Sequence, residues 1–95
     1  MSVRWTRPAL RDLEEIGDFI AQDNAVAAAK TVATILDHAE GLATHPHLGR
    51  AGRIAGTREL VVPHTPFVVP YRVIGDQVQI LAVFHGARRW PETFA

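Results

Sequence analysis

Cysteine is absent from this 95-residue sequence, which excludes a disulfide framework and all thiolate chemistry. No apolar run approaches the roughly 20 residues that a membrane-spanning helix needs. The opening Met1-Ser2-Val3-Arg4-Trp5-Thr6 contains no apolar signal region. Lysine is reduced to Lys30, so nine of the ten cationic side chains are arginine, a bias toward fork-like contacts with carboxylate or phosphate. Internal repeats, linkers and low-complexity segments are also missing. What remains is an ordinary globular composition, 47% hydrophobic and 21% charged, at a length suited to one domain over residues 1–95 with a modest core. The expectation is a soluble, cytoplasmic chain with no membrane partner.

Net charge is zero but unevenly distributed. Residues 1–45 carry four basic and seven acidic side chains, giving −3, whereas residues 46–95 carry six basic and three acidic, giving +3. A basic C-terminal half suits an acidic partner, protein or nucleic acid, although the bland alternative is ordinary surface charge.

Val3–Thr6 reads as a short strand holding Trp5, a core candidate. Thr6 can cap the helix that follows, with Pro8 in its first turn, where a missing N–H costs little. From Arg7 to about Asp23, Ala9, Leu13, Ile16 and Ile20 recur at helical spacing, with Asp12, Glu14, Glu15 and Asp18 largely off that stripe. Asn24 caps a second helix, Ala25 to about Thr44, striped by Ala28, Val32, Ile35, Ala39 and Leu42. The short connection makes the pair an antiparallel hairpin. His45-Pro46-His47 ends it, because the residue before proline is driven out of the helical region. With no cysteine or nearby carboxylate, these two histidines read as a solvent-exposed loop and not as a metal site. Arg50 and Arg53 in the next loop offer only generic anion-binding potential.

The C-terminal half reads as a meander: Arg58–Val62, Phe67–Ile74 and Gln77–Phe84. Gly75-Asp76 between the last two suits a type II′ turn. Pairing outward from it sets Val73 against Val78, Tyr71 against Ile80, Val69 against Ala82 and Phe67 against Phe84, one wholly apolar face. The other face carries Val68, Pro70, Arg72, Ile74, Gln77, Gln79, Leu81, Val83 and His85. Pro70 has no N–H for the ladder and must lie at an edge, a bulge or an unpaired position. The fold class is α+β in the order βααβββ, a helical hairpin on one face of a small, mostly antiparallel sheet, with the second face open.

Several stretches together carry a family resemblance. They are the acidic first helix, Asn24 opening the second, His45-Pro46…Gly49-Arg50, Gly56-Thr57-Arg58-Glu59-Leu60-Val61, Tyr71-Arg72-Val73, and His85-Gly86-Ala87-Arg88-Arg89-Trp90-Pro91. The chain resembles, over nearly its whole length, the RelE/ParE superfamily of toxins from bacterial type II toxin–antitoxin modules. The resemblance implies a cognate antitoxin partner in a hetero-oligomeric complex and no cofactor. It also implies one of two targets. RelE-like members cleave ribosome-bound mRNA, whereas ParE-like members poison DNA gyrase, through its A subunit, and need no nuclease site.

RNA cleavage needs a general base, a proton donor and cations at the developing phosphorane charge. His85, Arg72, Arg88 and Glu59 are the candidates for such a set. Against them, Phe67-Val68-Val69 stands where the nuclease branch usually carries a mid-strand arginine, and Tyr71 points to the apolar face instead of lying near the C-terminus. These departures favour the ParE-like branch. The toxicity or partner surface is then expected to draw on Arg58, Arg72, Gln79, His85, Arg88, Arg89 and Trp90, with Trp90 packing back on the domain. Val68, Ile74, Leu81 and Val83 would form a partly wet aliphatic stripe that the antitoxin covers, unless it lies along the acidic hairpin.

Overall fold

Thr6 and Asn24 each start a helix, by the same device. A computed structural model describes residues 1–88, 90, 91 and 94. In it, the Thr6 hydroxyl accepts from the Ala9 N–H and the Asn24 side chain from the Ala27 N–H, satisfying donors that a helix start leaves orphaned. Strand β1 (Ser2–Trp5) precedes helix α1 (Arg7–Ala21), and α2 (Ala25–Glu40) ends in a 3-10 turn at Gly41–Ala43. Strands β2 (Arg50–Ala51), β3 (Arg58–Val61), β4 (Phe67–Ile74), β5 (Gln77–Ile80) and β6 (Phe84–His85) follow. The sheet runs β1-β5-β4-β3-β2, with β6 also on β4. Every pairing is antiparallel except β1 with β5. The α+β architecture and the helical hairpin are as expected, with the second helix a turn shorter and the two-residue β2 added. No helix among the described residues is long and apolar enough to cross a membrane.

The hairpin lies on the face formed by Leu60, Phe67, Val69, Tyr71, Val78 and Ile80, which cluster with Ala9, Leu13, Ile35, Ala39 and Leu42. Each large aliphatic sealed there contributes roughly 1.5–3 kcal/mol. Gly17 lets the helices meet closely, since a Cβ on it would stand 3.2 Å from Val32 Cγ2. Gly75 takes φ 58°, the left-handed conformation that the first position of a type II′ turn requires.

Pro70 sits at a bulge. Next to the turn, the register is as expected: Tyr71 faces Ile80 and Val73 faces Val78. Beyond Pro70 it slips by one, so that Phe67 faces His85 and Val68 faces Phe84. Ala82 and Val83 therefore stand together opposite Val69. The Pro70 carbonyl accepts from the Leu81 N–H at 2.9 Å, but proline has no N–H to return. The Thr6 hydroxyl instead reaches the Ile80 carbonyl at 2.8 Å and that of Leu81 at 3.4 Å. An extra residue in one strand bends it and inverts its facing from there on.

The inversion corrects three expectations. Val83, expected on the second face, is buried in the core. Phe84, expected in the core, shares the second face with Val68. His85 turns toward the helix side and meets Phe67 edge-on at 5.9 Å. The wet stripe is corrected too, because Val68 and Leu81 are buried and only Ile74 stays exposed, at 49%. Phe84 packs against Trp90 at 4.8 Å and stacks on Phe94 at 6.0 Å. Trp90 and Phe94 thus pack with Phe84 on the Val68 side of that face, as expected for Trp90. Arg89 lies outside the described residues.

Candidate functional site

Glu59 is the most buried charged side chain described, 3% exposed. Its register partner is Pro70, so it points to the second face. There Arg50 contacts Oε1 at 2.9 Å, while Arg53 gives Oε2 its backbone N–H at 2.8 Å and its Nε at 3.1 Å. Burial alone would raise the carboxyl, but the Arg53 N–H and the two guanidiniums outweigh it and hold the group below its ordinary value. Arg53 also lies over the Trp90 ring, 3.5 Å from its centroid, a contact worth roughly 0.5–2 kcal/mol. Glu59 is therefore a fully engaged structural anion and not a free base.

A second tie runs through Tyr71. Its hydroxyl accepts from the Gly49 N–H at 2.9 Å and donates to the Pro46 carbonyl at 2.8 Å. Burial, countered in part by the Gly49 N–H and Arg58, raises the phenol above its usual range. Arg58 donates to the carbonyls of His47 and Gly49, while His45 and His47 are exposed. Much of what carries the family resemblance, His45-Pro46…Gly49-Arg50, Arg58-Glu59 and Tyr71, is thus one network fastening the pre-sheet loop to β3 and β4.

That network has a pH signature. A carboxyl whose folded pKa is depressed contributes stability that is complete above the unfolded value, 4.5 for Glu, and is lost as pH falls through the folded value. Removing Glu59 leaves its arginines half-exposed and able to hydrate, so Glu59→Gln is expected to cost about 2 kcal/mol at pH 7. Because Gln cannot titrate, the deficit should shrink as the pH of a urea-unfolding series drops below 4.5. A deficit constant from pH 7 to pH 3 would contradict this role.

A deep concavity lies on the helix side. It is a groove of about 600 Å³ between α1 and the β4–β6 end of the sheet. Ile16, Phe19, Ile20 and Phe67 give it an apolar lining, with Asp12 and Glu15 on one wall and His64, His85 and Arg88 on the other. Asp12 accepts from the Val83 N–H at 3.0 Å, capping the backbone at the bulge. Its burial raises its carboxyl above the ordinary value, against the pull of that N–H. Phe19, 66% exposed, forms an apolar lip.

The polar end of the second face is a separate surface. Arg72 Nε donates to Gln79 Oε1 at 3.0 Å, and Gln79 Nε2 to Gln77 Oε1 at 3.2 Å. The candidate nuclease set is therefore dispersed: His85 and Arg88 border the groove, Arg72 lies on the opposite face, and Glu59 is locked by two arginines. Among the described residues, no group of three His, Asp or Glu side chains could hold a metal ion.

Sequence reasoning missed Phe19 and Asp12 as groove residues. Phe19 sits off the α1 stripe, an exposed large aromatic on an otherwise acidic helix, and that signal was legible. Asp12 was not, because its partner exists only once the bulge forms.

Comparison with known proteins agrees with this geometry. A family model described as "ParE toxin of type II toxin-antitoxin system, parDE" matches residues 3–90. The protein Y4kP of Sinorhizobium fredii is 48% identical over 90 residues, covering 95% of this chain and 93% of that protein. Toxin RelE2 of Caulobacter vibrioides is 40% identical over 86 residues, covering 90% and 96%. A structure from the chromosomal ParDE toxin–antitoxin system of P. aeruginosa superposes with a TM-score of 0.80 at 33% identity, over 90% of this chain and 95% of that one. The RelBE2 toxin–antitoxin complex of Mycobacterium tuberculosis gives a TM-score of 0.63 at 27% identity, covering 88% and 95%. With its helical hairpin, mixed sheet and near full-length match, the chain belongs to the ParE toxin family of type II toxin–antitoxin systems.

Proposed function

We propose that this toxin arrests growth by a ParE-like mechanism, binding and poisoning DNA gyrase without breaking a nucleic-acid bond itself, and that a cognate antitoxin neutralises it. The observation that carries the first part is the dispersal of the chemistry. A ribonuclease must bring a base, a proton donor and phosphate-binding cations within hydrogen-bond reach of one phosphodiester. Here His85 and Arg72 project from opposite faces, and arginine is a poor proton donor at pH 7. A poison needs only complementary surface and charge.

The antitoxin is assigned to the groove between α1 and β6. Its apolar floor suits one face of an amphipathic segment, and its acidic wall, Asp12 and Glu15, suits a basic residue on that segment. The solved neighbours come from a ParDE system and a RelBE2 toxin–antitoxin complex, which supports an antitoxin partner here.

Expression without antitoxin tests the reading in cells. Division should stop, cells should filament and the DNA-damage response should rise while bulk mRNA stays intact. Rapid loss of translated mRNA before any DNA-damage signal would overturn it.

A further inference from the structure

The second face is divided in two. Its Val68–Pro70 half is covered by the protein's own Phe84, Trp90 and Phe94, and its arginines, Arg50 and Arg53, are both paired with Glu59. Its other half is bare. There Gln79 is the register partner of both Arg4 on β1 and Arg72 on β4, so the two arginines flank it on one face, both exposed. Ile74 lies on the same face, half-exposed.

We infer that Arg4 and Arg72, with Gln77, Gln79 and Ile74, form the surface that grips the poisoned target, and that its occupant is an acidic α-helix of a protein. This rests on the gyrase-poison reading and deepens it by naming the surface and the chemistry it meets. Three observations point there. Among the described residues neither arginine makes an ion pair, although Arg50 and Arg53 on the same face do. The Gln77–Gln79 ladder holds Arg72 by its Nε alone, which pre-orders the side chain and leaves both terminal amino groups for a bidentate carboxylate contact.

The third is spacing. Arg4 and Arg72 stand two strands apart, roughly 9–10 Å at about 4.8 Å per strand. Carboxylates at i and i+7 of one helix are spaced by about 10.5 Å along its axis, which matches. Ile74 beside them gives an apolar contact of the kind found in protein interfaces and of no use to a phosphate backbone. The chain's zero net charge also lacks the excess cation that duplex binding draws on.

The test uses the full chain carrying Arg4→Glu with Arg72→Glu, and in parallel the milder Arg4→Gln with Arg72→Gln. Both are read by thermal melting, affinity for the cognate antitoxin, inhibition of gyrase supercoiling and growth arrest. The expected result is wild-type melting and antitoxin affinity within about threefold, with at least a tenfold loss of potency for the Glu pair and a smaller loss for the Gln pair. Should the Glu pair fail to fold, the Gln pair decides. Wild-type potency in the folded variants overturns the surface assignment. If the wild-type protein does not inhibit gyrase, the gyrase reading fails separately, and growth arrest by the variants still judges the surface. Binding of naked duplex DNA that disappears in the Glu pair would replace the acidic helix by nucleic acid and overturn the proposed occupant.

Discussion

Gly49→Ala is expected to be severely destabilising. The new Cβ would stand 2.6 Å from Tyr71 Cε1, 2.7 Å from its hydroxyl and 2.9 Å from the Glu59 backbone carbonyl. None of these can retreat: the Tyr71 ring is fully buried, and the Glu59 carbonyl belongs to β3. Overpacking costs roughly 1–3 kcal/mol. Displacing the Tyr71 hydroxyl also strands the Gly49 N–H and the Pro46 carbonyl, at about 1–3 kcal/mol for each group left buried. A total near 4 kcal/mol lowers the melting temperature of a domain this size by roughly 15–30 °C. Tyr71→Phe removes the hydrogen bonds without the clash and should lie between, at about 2 kcal/mol. A Gly49→Ala protein melting within a few degrees of wild type would mean that the loop is not fastened where the geometry puts it.

Phe19→Glu should have the next largest effect, on binding instead of folding. Phe19 is exposed in the free toxin, so its replacement removes little from the core, and melting should be nearly unchanged. In the complex, the antitoxin would cover the ring at the groove lip. Burying a phenylalanine is worth roughly 1.5–3 kcal/mol. A third carboxylate beside Asp12 and Glu15 left without a partner adds a desolvation cost. Together these predict about a hundredfold weaker antitoxin binding, measured by calorimetry or by the toxin-to-antitoxin ratio needed to restore growth. Unchanged affinity would move the antitoxin away from this groove.

How much of this was legible in the sequence depends on how local the cause is. Thr6 and Asn24 cap and Gly75 turns the hairpin for reasons contained within a few residues, and each of those readings holds, whereas α2 ends at Glu40 and passes into a 3-10 turn before Pro46 is reached. Tyr71 on the apolar face followed from alternation alone. Pro70 announced a break in the ladder but not its form. Whether an extra residue enters the partner strand depends on what the adjacent carbonyls meet, and here the hydroxyl of Thr6, more than seventy positions away, meets them. One inserted residue then exchanged the faces of Val83, Phe84 and His85, so a site drawn from strict alternation joined His85 to Arg72 when the two lie back to back. Glu59 reads as a catalytic candidate in a linear sequence, since nothing local reveals that Arg50 and Arg53 close on it. The apolar groove is a tertiary feature. Phe19, misplaced on a polar helix face, was its one visible trace.

A toxin that acts as proposed disables a protein machine and cuts no RNA. The most direct measurement places one preparation of purified toxin in two assays: supercoiling and DNA cleavage by gyrase, and cleavage of mRNA held on translating ribosomes. Inhibition of supercoiling or accumulation of cleaved DNA, with ribosome-bound mRNA intact and both effects abolished by antitoxin, is the predicted result. Cuts at codon positions in the mRNA with gyrase unaffected would contradict it, and would require the dispersed His85, Arg72 and Arg88 to come together on the ribosome.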